Sequence, residues 1–421
     1  METNRIKNLR DLATTPLHRA ALEMVNSGLN AVDTKIILKK NITLSGHRLT
    51  VKDKEFDLAK FDKIIFIGLG KAAGEAALFF DKLLGSRITA GVVLDLKKVN
   101  CRYIKSYKAD HPRPSAENVS ASQKIVDLAR GISENDFVIT VVSGGGSAML
   151  CWPAEECEKS VKLYDSFLKT GGHIKELNVI RKHTSLIKGG GLAKIFYPAK
   201  IVGLIFSDIA GDNYHNVASG PTYLDETSVE TAQKIIAKYG LSGIEMLETD
   251  KEKKYFNNVV NIPMVSNKTA LASVKSAAQD AGFTATILSE AVYENAEQTI
   301  ANFQKSSAPR TVLIAGGEIN ISIKNSLGKG GRNQYLAMKF LPSIKTGEVF
   351  ISIASDGLDN SDAAGAIIDS ETVKKAGDKK LDYEKYLADY NTYDFFNETG
   401  SLIFTGPTGA NVADLMLLLR K

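Results

Sequence analysis

Cysteine is scarce in this chain. Cys101, Cys151 and Cys157 are the only ones in 421 residues, and an odd number at spacings unlike any zinc motif argues against a metal-binding cysteine set. Buried, idle thiols are the expectation. Long apolar runs are missing too, since no segment approaches the roughly 20 residues needed to cross a bilayer. Residues 1–25, METNRIKNLRDLATTPLHRAALEMV, mix both charges with helix formers and lack a signal peptide's apolar core. They read as an amphipathic helix packed onto the first domain of a cytoplasmic protein with no membrane partner. Nor does one sign of charge dominate. Lys and Arg number 53 against 48 Asp and Glu, a net charge of +5 spread along the chain. Nucleic acid, which calls for a concentrated basic face, is disfavoured as a partner. A small anion suits the mild positive excess. Internal repeats and low-complexity segments are absent.

What is present is an ordinary globular composition, 44% hydrophobic and 24% charged, over a length that suits two or three domains. Short apolar runs alternate with helical patterns, the signature of βαβ units and a largely parallel sheet. In the first half, strands are expected at Lys63–Gly68, Ala90–Leu94, just before His111, at Asp136–Val142 and at Lys200–Phe206. A small-residue helix runs through Ala72, Ala73, Ala76 and Ala77, a second covers Ser115–Arg130 with Ser115 placed as its cap, and a third lies near Ser228–Tyr239. The polar stretch Glu248–Lys254 is a candidate domain crossover, or a solvated helix end inside one domain. In the second half, strands are expected near Pro263–Val265, Thr284–Leu288, Thr311–Ala315, Ile319–Ile323 and Val349–Ala354. Helices are expected at Thr269–Ala281, Asn295–Gln304, Gln334–Phe340 and, closing the chain, Asn411–Leu419.

Glycine-rich turns at strand ends carry the candidate chemistry. Gly68-Leu-Gly70-Lys71-Ala-Ala73 fits a dinucleotide fingerprint, G-x-G-x-x-A, with Asp95 where a ribose-binding acid belongs. Any phosphate ligand would exploit the same turn, because glycines permit close approach and helix N-termini attract anions. Ser143-Gly144-Gly145-Gly146-Ser147 follows the most apolar strand and suits an anion-binding nest. Arg181 and Lys188-Gly189-Gly190 place cations beside another glycine-rich bend. Asp208 and Asp212 follow a strand end with small spacers, a pattern compatible with magnesium. Glu318 follows a strand. Arg332 and Asn333 open a helix, where a guanidinium fork is aimed at a phosphate or carboxylate. Asp356 and Asp359 lie in an acidic loop, and Gly406, Thr408 and Asn411 in a further loop of anion-binding character. Neither a Walker A sequence nor the protein-kinase motif set occurs.

In order, the segments GLGKAA, HPRPSAEN, SGGGSA, LNVIRKHTSLIKGGGLA, SDIAGDNYHNVASGPTY, GGE, GKGGRNQ, SDGLDNSDAAGA and TGPTGANVADL resemble the glycerate 2-kinases of the MOFRL family over nearly the whole chain. The resemblance implies an α/β protein of two domains, with the active site in the cleft between them. These are an N-terminal Rossmann-like parallel-sheet domain, residues 1–250, and a smaller C-terminal MOFRL domain, residues 251–421. It implies transfer of the γ-phosphoryl of ATP, with Mg²⁺, to the 2-hydroxyl of D-glycerate, and leaves room for a homodimer. Lys71, Arg332 and Asp356 match the family's catalytic positions. Lys71 and Arg332 would hold negative charge on substrate and phosphoryl group. Asp356 would position the attacking hydroxyl or help hold Mg²⁺, with Asp208, Asp212 and Asp359 as further metal candidates. Gly68, Gly70, the 143–147 loop, Arg181, Lys188, Gly189, Gly190, Glu318, Asn333, Gly406, Thr408 and Asn411 would bind substrate or nucleotide. Tyr335 stands where relatives commonly carry Glu. An NAD(P)H-dependent 2-hydroxy-acid reductase is the alternative that the Gly68–Ala73 turn by itself favours.

Overall fold

The computed structural model describes residues 3–168, 172, 174–211, 213–305, 308–321 and 328–421. The chain forms two compact units, each discontinuous in sequence. One comprises Thr34–Ser207 and Asn213–Met264, the other Met1–Asp33, Asp208–Asp212 and Val265–Lys421. A single crossing at 250 is therefore not how the units divide. The N-terminal helix Pro16–Ala31, with Thr15 Oγ1 accepting from His18 N at 3.1 Å, packs on the Asn267–Asp280 helix and belongs with it to the second-named unit, whereas the sequence alone suggests packing on the first domain. Their approach is close enough that Ser27 Oγ and Ser273 Oγ bond at 2.7 Å. The polar 248–254 stretch lies inside the first-named unit, where Lys251 Nζ donates to the carbonyls of Asp225 and Thr227 at 2.7 and 2.6 Å.

The 34–264 unit begins with the helix Thr34–Asn41 and an antiparallel meander, β1 Ile42–Ser45, β2 Arg48–Val51 and β3 Lys54–Asp57. Its main sheet contains β4 Lys63–Leu69, β5 Ala90–Asp95, β6 Lys105–Lys108, β7 Asp136–Ser143, β8 Lys200–Phe206 and β9 Val259–Val265, in the order β6-β5-β4-β7-β8-β9. The first five strands in that order are mutually parallel. All eight residues of β7 are buried, as expected of a strand covered by helices on both faces. Ala73, Ala76 and Ala77 on the Ala73–Leu84 helix are fully buried, and their small size lets the helix lie flat on the sheet. Ser115 does sit at the N-cap of the Ala116–Leu128 helix, but its hydroxyl donates to Asn118 Oδ1 at 3.1 Å in place of capping the backbone. Counted from β4, the strand order is 3-2-1-4-5-6, so the chain reverses direction across the sheet between β4 and β7. Ligands of open α/β sheets bind beyond the carboxyl ends of the strands at such a point.

The second unit is built on β10 Thr284–Val292, β11 Thr311–Gly317, β12 Glu348–Ala354, β13 Gly365–Ile368, β14 Leu402–Ile403 and β15 Asp414–Arg420, in the order β10-β11-β15-β12-β13-β14. Only β10 and β11 are parallel; every other pairing is antiparallel. The segment expected to be the last helix is thus β15, a central strand with all seven residues buried. Leu415-Met-Leu-Leu-Leu419 has no polar face, and a short continuous apolar run does not distinguish a buried strand from a buried helix. What decides is the row of hydrogen-bonding partners on both sides, from β11 and β12. Its end is anchored by Arg420 Nε on Glu348 Oε1 at 2.7 Å. The strand expected at Ile319–Ile323 does not form over Ile319–Ile321, and positions 322–323 lie outside the described residues. No helix among the described residues is long and apolar enough to cross a membrane.

Leu417, 1% exposed, tests the strand assignment through packing. Leu417→Ala should lower stability by about 2–5 kcal/mol in urea unfolding, whereas Val373→Ala, at a site 44% exposed, should stay within about 0.5 kcal/mol.

Candidate active site

At the reversal point of the parallel sheet, the turn after β4 spends its own backbone. Gly70 N donates to Leu94 O at 3.1 Å, Lys71 N to Gly144 O at 2.9 Å and Ala73 N to Gly70 O at 3.0 Å. Ala72 N donates to Ser143 Oγ at 3.1 Å, and Gly74 N to Asp95 Oδ2 at 2.8 Å. Five successive N–H groups are therefore satisfied inside the protein. Gly70 is required because φ is +100° and a Cβ there would stand 2.6 Å from Gly144 O. Gly68 lies within β4, paired with Val93. The turn expected to cradle phosphates is instead a clamp between neighbouring strand ends, and Asp95 closes the helix start where a ribose would have been bound.

The triglycine loop is different. Gly145 is left-handed at φ +85° and precedes a short helix, Gly146–Met149. The N–H groups of Gly145, Gly146 and Ser147 come before the first bonds of that helix, from Ala148 N and Met149 N to Gly145 O, both at 3.2 Å, so helix geometry gives them no intrahelical acceptor. A Cβ on Gly146 would sit 2.6 Å from Ala218 Cβ. Ala218 and Ser219 are themselves held at φ +50° and +60°, strain of the kind that concentrates at functional sites. Ser147 Oγ and Ser219 Oγ are 2.9 Å apart, and Ser219 Oγ also reaches Asn178 Oδ1 at 3.2 Å.

Cations gather around this loop. Lys71 Cγ and His111 Cδ2 lie 3.4 and 3.3 Å from the position a Cβ on Gly145 would take. Asn118, fully buried, fixes the His111 loop by accepting from Asp110 N at 2.8 Å and donating to Asp110 O and Ala148 O, both at 2.9 Å. Burial first, then the charges of Lys71 and Arg181, push the His111 imidazole down to about 4. Arg181 stands one helical turn from Asn178 on the Ile174–Lys182 helix. Its guanidinium and that of Arg113 each lie 5.7 Å from the Tyr164 ring centroid. Arg113 is paired with Asp165 at 2.7 Å. Arg181 has no carboxylate partner among the described residues, and burial lowers its pKa to about 10. Sequence reasoning missed His111, Asn178 and Ser219 as site residues. The signal for His111 was the His-Pro-Arg-Pro loop following a strand end.

Neighbouring candidates turn out to be scaffold. Lys188 is buried in an ion pair with Glu156, and Ser185 Oγ bonds both Lys188 N and Glu156. Gly189 N and Gly190 N donate to the carbonyls of Ser219 and Gly220, each at 2.9 Å. That bend therefore holds the strained 218–220 backbone and offers these two N–H groups to no anion.

In the second unit, the carboxyl ends of β11 and β12 flank the start of β15. Arg332 opens the Arg332–Phe340 helix and reaches Asp414 Oδ2 with Nε at 2.6 Å and Glu318 Oε1 with Nη2 at 2.7 Å. Burial opposes its charge, but the carboxylates of Asp414 and Glu318 outweigh that and raise its pKa. Burial raises the Asp414 carboxyl. Asp356 is half-buried just past β12 and accepts from Leu358 N at 3.1 Å. Thr408 ties its loop to β12, donating Oγ1 to Ser355 O at 2.6 Å and N to Asp356 O at 3.0 Å. Gly406 lies beside Lys7, and Asn411 Oδ1 accepts from Ala413 N at 3.4 Å. Asn333 is buried between Ser352 Oγ at 2.7 Å and Asp359 Oδ1 at 3.2 Å, a structural position. Tyr335 stacks on Tyr390 with centroids 5.6 Å apart.

The expected magnesium ligands do not all keep their oxygens for a metal. Asp359 accepts from Asn333 N at 3.1 Å and Gln334 N at 2.8 Å, so it caps the Arg332–Phe340 helix; burial raises it to about 6 despite these bonds. Its oxygens are spent on the helix, which does not fit a metal ligand. Asp208 belongs to the second unit; burial first, then the charges of Glu318 and Asp208, raise the pKa of the half-buried Tyr293 phenol. Asp212 lies outside the described residues. Among the described residues no three of His, Cys, Asp and Glu are grouped to hold a metal.

A family model described as Domain of unknown function (DUF4147) matches residues 20–249, and one described as MOFRL family matches 311–414. The chain is 34% identical over 438 residues to the glycerate 2-kinase of Pyrococcus horikoshii, covering 96% of this chain and 97% of that one. The chain belongs to the glycerate 2-kinase family. The D-glycerate 2-kinase of Thermotoga maritima is 33% identical over 403 residues, covering 90% of this chain and 96% of the relative. A crystal structure of glycerate kinase from T. maritima matches with a TM-score of 0.80 at 30% identity, covering 96% of this chain and 99% of that chain. Membership in the glycerate 2-kinase family accounts for the order of the glycine-rich motifs, and the hydrogen bonds above divide them into clamp and site.

The depressed His111 pKa has a sign. Unfolding restores it from about 4 to 6.5, so the unfolded chain takes up the proton first as pH falls. The stability contributed by the uncharged ring is complete above about pH 6.5 and is lost toward pH 4. Relative to His111→Gln, the wild type should lose urea resistance across that window, read as the difference between the two unfolding midpoints against pH.

Proposed function

We propose that this chain is an ATP-dependent glycerate 2-kinase, transferring the γ-phosphoryl of MgATP to the 2-hydroxyl of D-glycerate, or of a closely related small hydroxy acid, to give the 2-phospho acid and ADP. Its kinship with the glycerate kinases supports phosphoryl transfer to an alcohol. One observation carries the choice over the reductase reading. Gly70 to Gly74 offer no N–H to a dinucleotide pyrophosphate, whereas Lys71 packs beside the adjacent triglycine loop and, with Arg181, bears on the His111 ring that rests on it.

In this reading the new bond joins the γ-phosphorus to the substrate's 2-oxygen, the β,γ-bridging P–O bond breaks, and the hydroxyl proton leaves. Little covalent chemistry is asked of the protein, so positioning and charge stabilisation dominate. Lys71 supplies charge at the reversal point of the parallel sheet. Arg332 stays protonated throughout and is fixed in direction by Asp414 and Glu318, with 39% of its side chain exposed. When bound with the nucleotide, magnesium would neutralise charge on the transferring phosphates. Asp356 and Asp208 are the carboxylates proposed to hold it, which suits an ion that takes few protein ligands. The Gly406–Asn411 loop is assigned to nucleotide or substrate anions.

ADP release measured with D-glycerate, erythronate and threonate tests the reading. Lys71→Ala should lower kcat/KM by about 10²–10³-fold while leaving the melting temperature unchanged. Arg332→Lys, which retains the charge but not the fork, should also lose activity. Wild-type activity in both variants would sink these roles. NADH oxidation with hydroxypyruvate, without any ATP requirement, would sink the kinase.

A further inference from the structure

His111 differs from the buried histidines His18 and His183 in what its ring nitrogens touch. His18 bonds Leu12 O at 3.0 Å through Nδ1 and Asp369 Oδ2 at 3.0 Å through Nε2. His183 bonds Leu247 O at 2.9 Å and Thr227 Oγ1 at 3.0 Å. Both are satisfied on each side, as structural histidines are. The His111 ring packs against the triglycine loop through carbon, at Cδ2. Neither of its nitrogens bonds a protein group among the described residues, and the side chain is open to solvent. A tightly positioned loop, held through Asn118, thus presents an imidazole whose polar atoms are left for something else.

The charges acting on that imidazole are Lys71, from the turn after β4, and Arg181, from the Ile174–Lys182 helix; the triglycine loop beneath it carries no titratable group. Partial burial first, then these two charges, keep it uncharged at neutral pH. An uncharged imidazole offers one donor and one acceptor. A 2-hydroxy acid carries a carboxylate and a hydroxyl on adjacent carbons, so its recognition calls for cations beside an acceptor that is not itself an anion. A carboxylate acceptor would repel the ligand, and no Asp or Glu pairs with Arg181 or His111 among the described residues.

We propose that Arg181 and Lys71 seat the carboxylate of a small 2-hydroxy acid and that His111 accepts the hydrogen bond of its 2-hydroxyl, making His111 the residue that selects for the α-hydroxy group. The proposal rests on the kinase reading for the identity of the acid. Its test needs neither ATP nor turnover.

Binding of D-glycerate and of 3-hydroxypropanoate, which lacks only the 2-hydroxyl, is measured calorimetrically on the full chain. The wild type should prefer D-glycerate, and His111→Phe should abolish the preference by weakening D-glycerate about 10- to 100-fold with little effect on the other acid. His111→Gln, keeping a neutral acceptor, should recover part of it. Arg181→Met should weaken both acids by a similar factor and leave ATP affinity unchanged. An unaltered preference in His111→Phe overturns the proposal. So does an Arg181→Met variant that loses ATP and retains the acids, which would make the seat one for nucleotide phosphate. A readout on the wild type guards against misfolded variants. The His111 imidazole resonances should shift with D-glycerate and not with 3-hydroxypropanoate, and no shift with either refutes the role. Preferential acid binding in a protein that releases no ADP would instead overturn the kinase and leave the seat standing.

Discussion

The hydroxyl of Ser143 is the constraint around which the parallel-sheet unit is arranged. It accepts from Ala72 N at 3.1 Å and donates to Leu69 O at 3.0 Å, while Lys71 N holds Gly144 O. With donor and acceptor both used in a fully buried place, these bonds fix the end of β4 against the end of β7. Lys71 and the triglycine loop are thereby held against each other. A buried hydroxyl left without either partner would cost about 1–3 kcal/mol, so the arrangement is specified as well as stabilised. The glycines follow from it, because only residues without Cβ fit where two strand ends are drawn this close.

The second unit uses the same device with different parts. Ser355 follows β12, and its hydroxyl accepts from Val412 N at 2.8 Å while its carbonyl accepts from Thr408 Oγ1. This ties the acidic loop to the loop before β15 and leaves Asp356 between them. Buried charges in both units are nearly all paired, Lys188 with Glu156, Lys182 with Asp225 and Arg420 with Glu348. Breaking such a pair strands a charge away from water and is strongly destabilising. Against that background Arg181, which stacks on Tyr164 without a carboxylate, marks a place where the protein has withheld the counter-charge. Arg332 is the opposite case. Two carboxylates aim it, and part of it remains exposed.

Much of the fold was legible in the chain. Strands with apolar cores bounded by glycine, such as β4, β7 and β8, announce themselves because burial on both faces demands a continuous apolar run. The helices that carry alanine against the sheet do so as well. The last strand was not legible: Leu415–Leu419 is apolar on every side, and no local pattern separates a buried helix from a buried strand. Nor could local pattern reveal that residues near the N-terminus pack on the Asn267–Asp280 helix, since that pairing spans more than half the chain.

For the site, the sequence by itself determined the inventory: which loops are rich in glycine, which carry Lys71, Arg181, Arg332 and Asp356, and the family that their order identifies. Tertiary structure decided which of those loops keep their hydrogen-bonding groups for a ligand. The Gly68–Ala73 turn, the Gly189–Gly190 bend and Asp359 look like ligand sites in one dimension. Folded, their polar groups are consumed by Leu94, Ser143, Gly144, Ser219, Gly220 and the Arg332–Phe340 helix. His111 looks incidental in the sequence and emerges between Lys71 and Arg181 with its nitrogens unused. The reason is that a donor's availability depends on what the fold brings within about 3 Å of it, and that neighbour is set by strand order and packing, over separations that no motif spans.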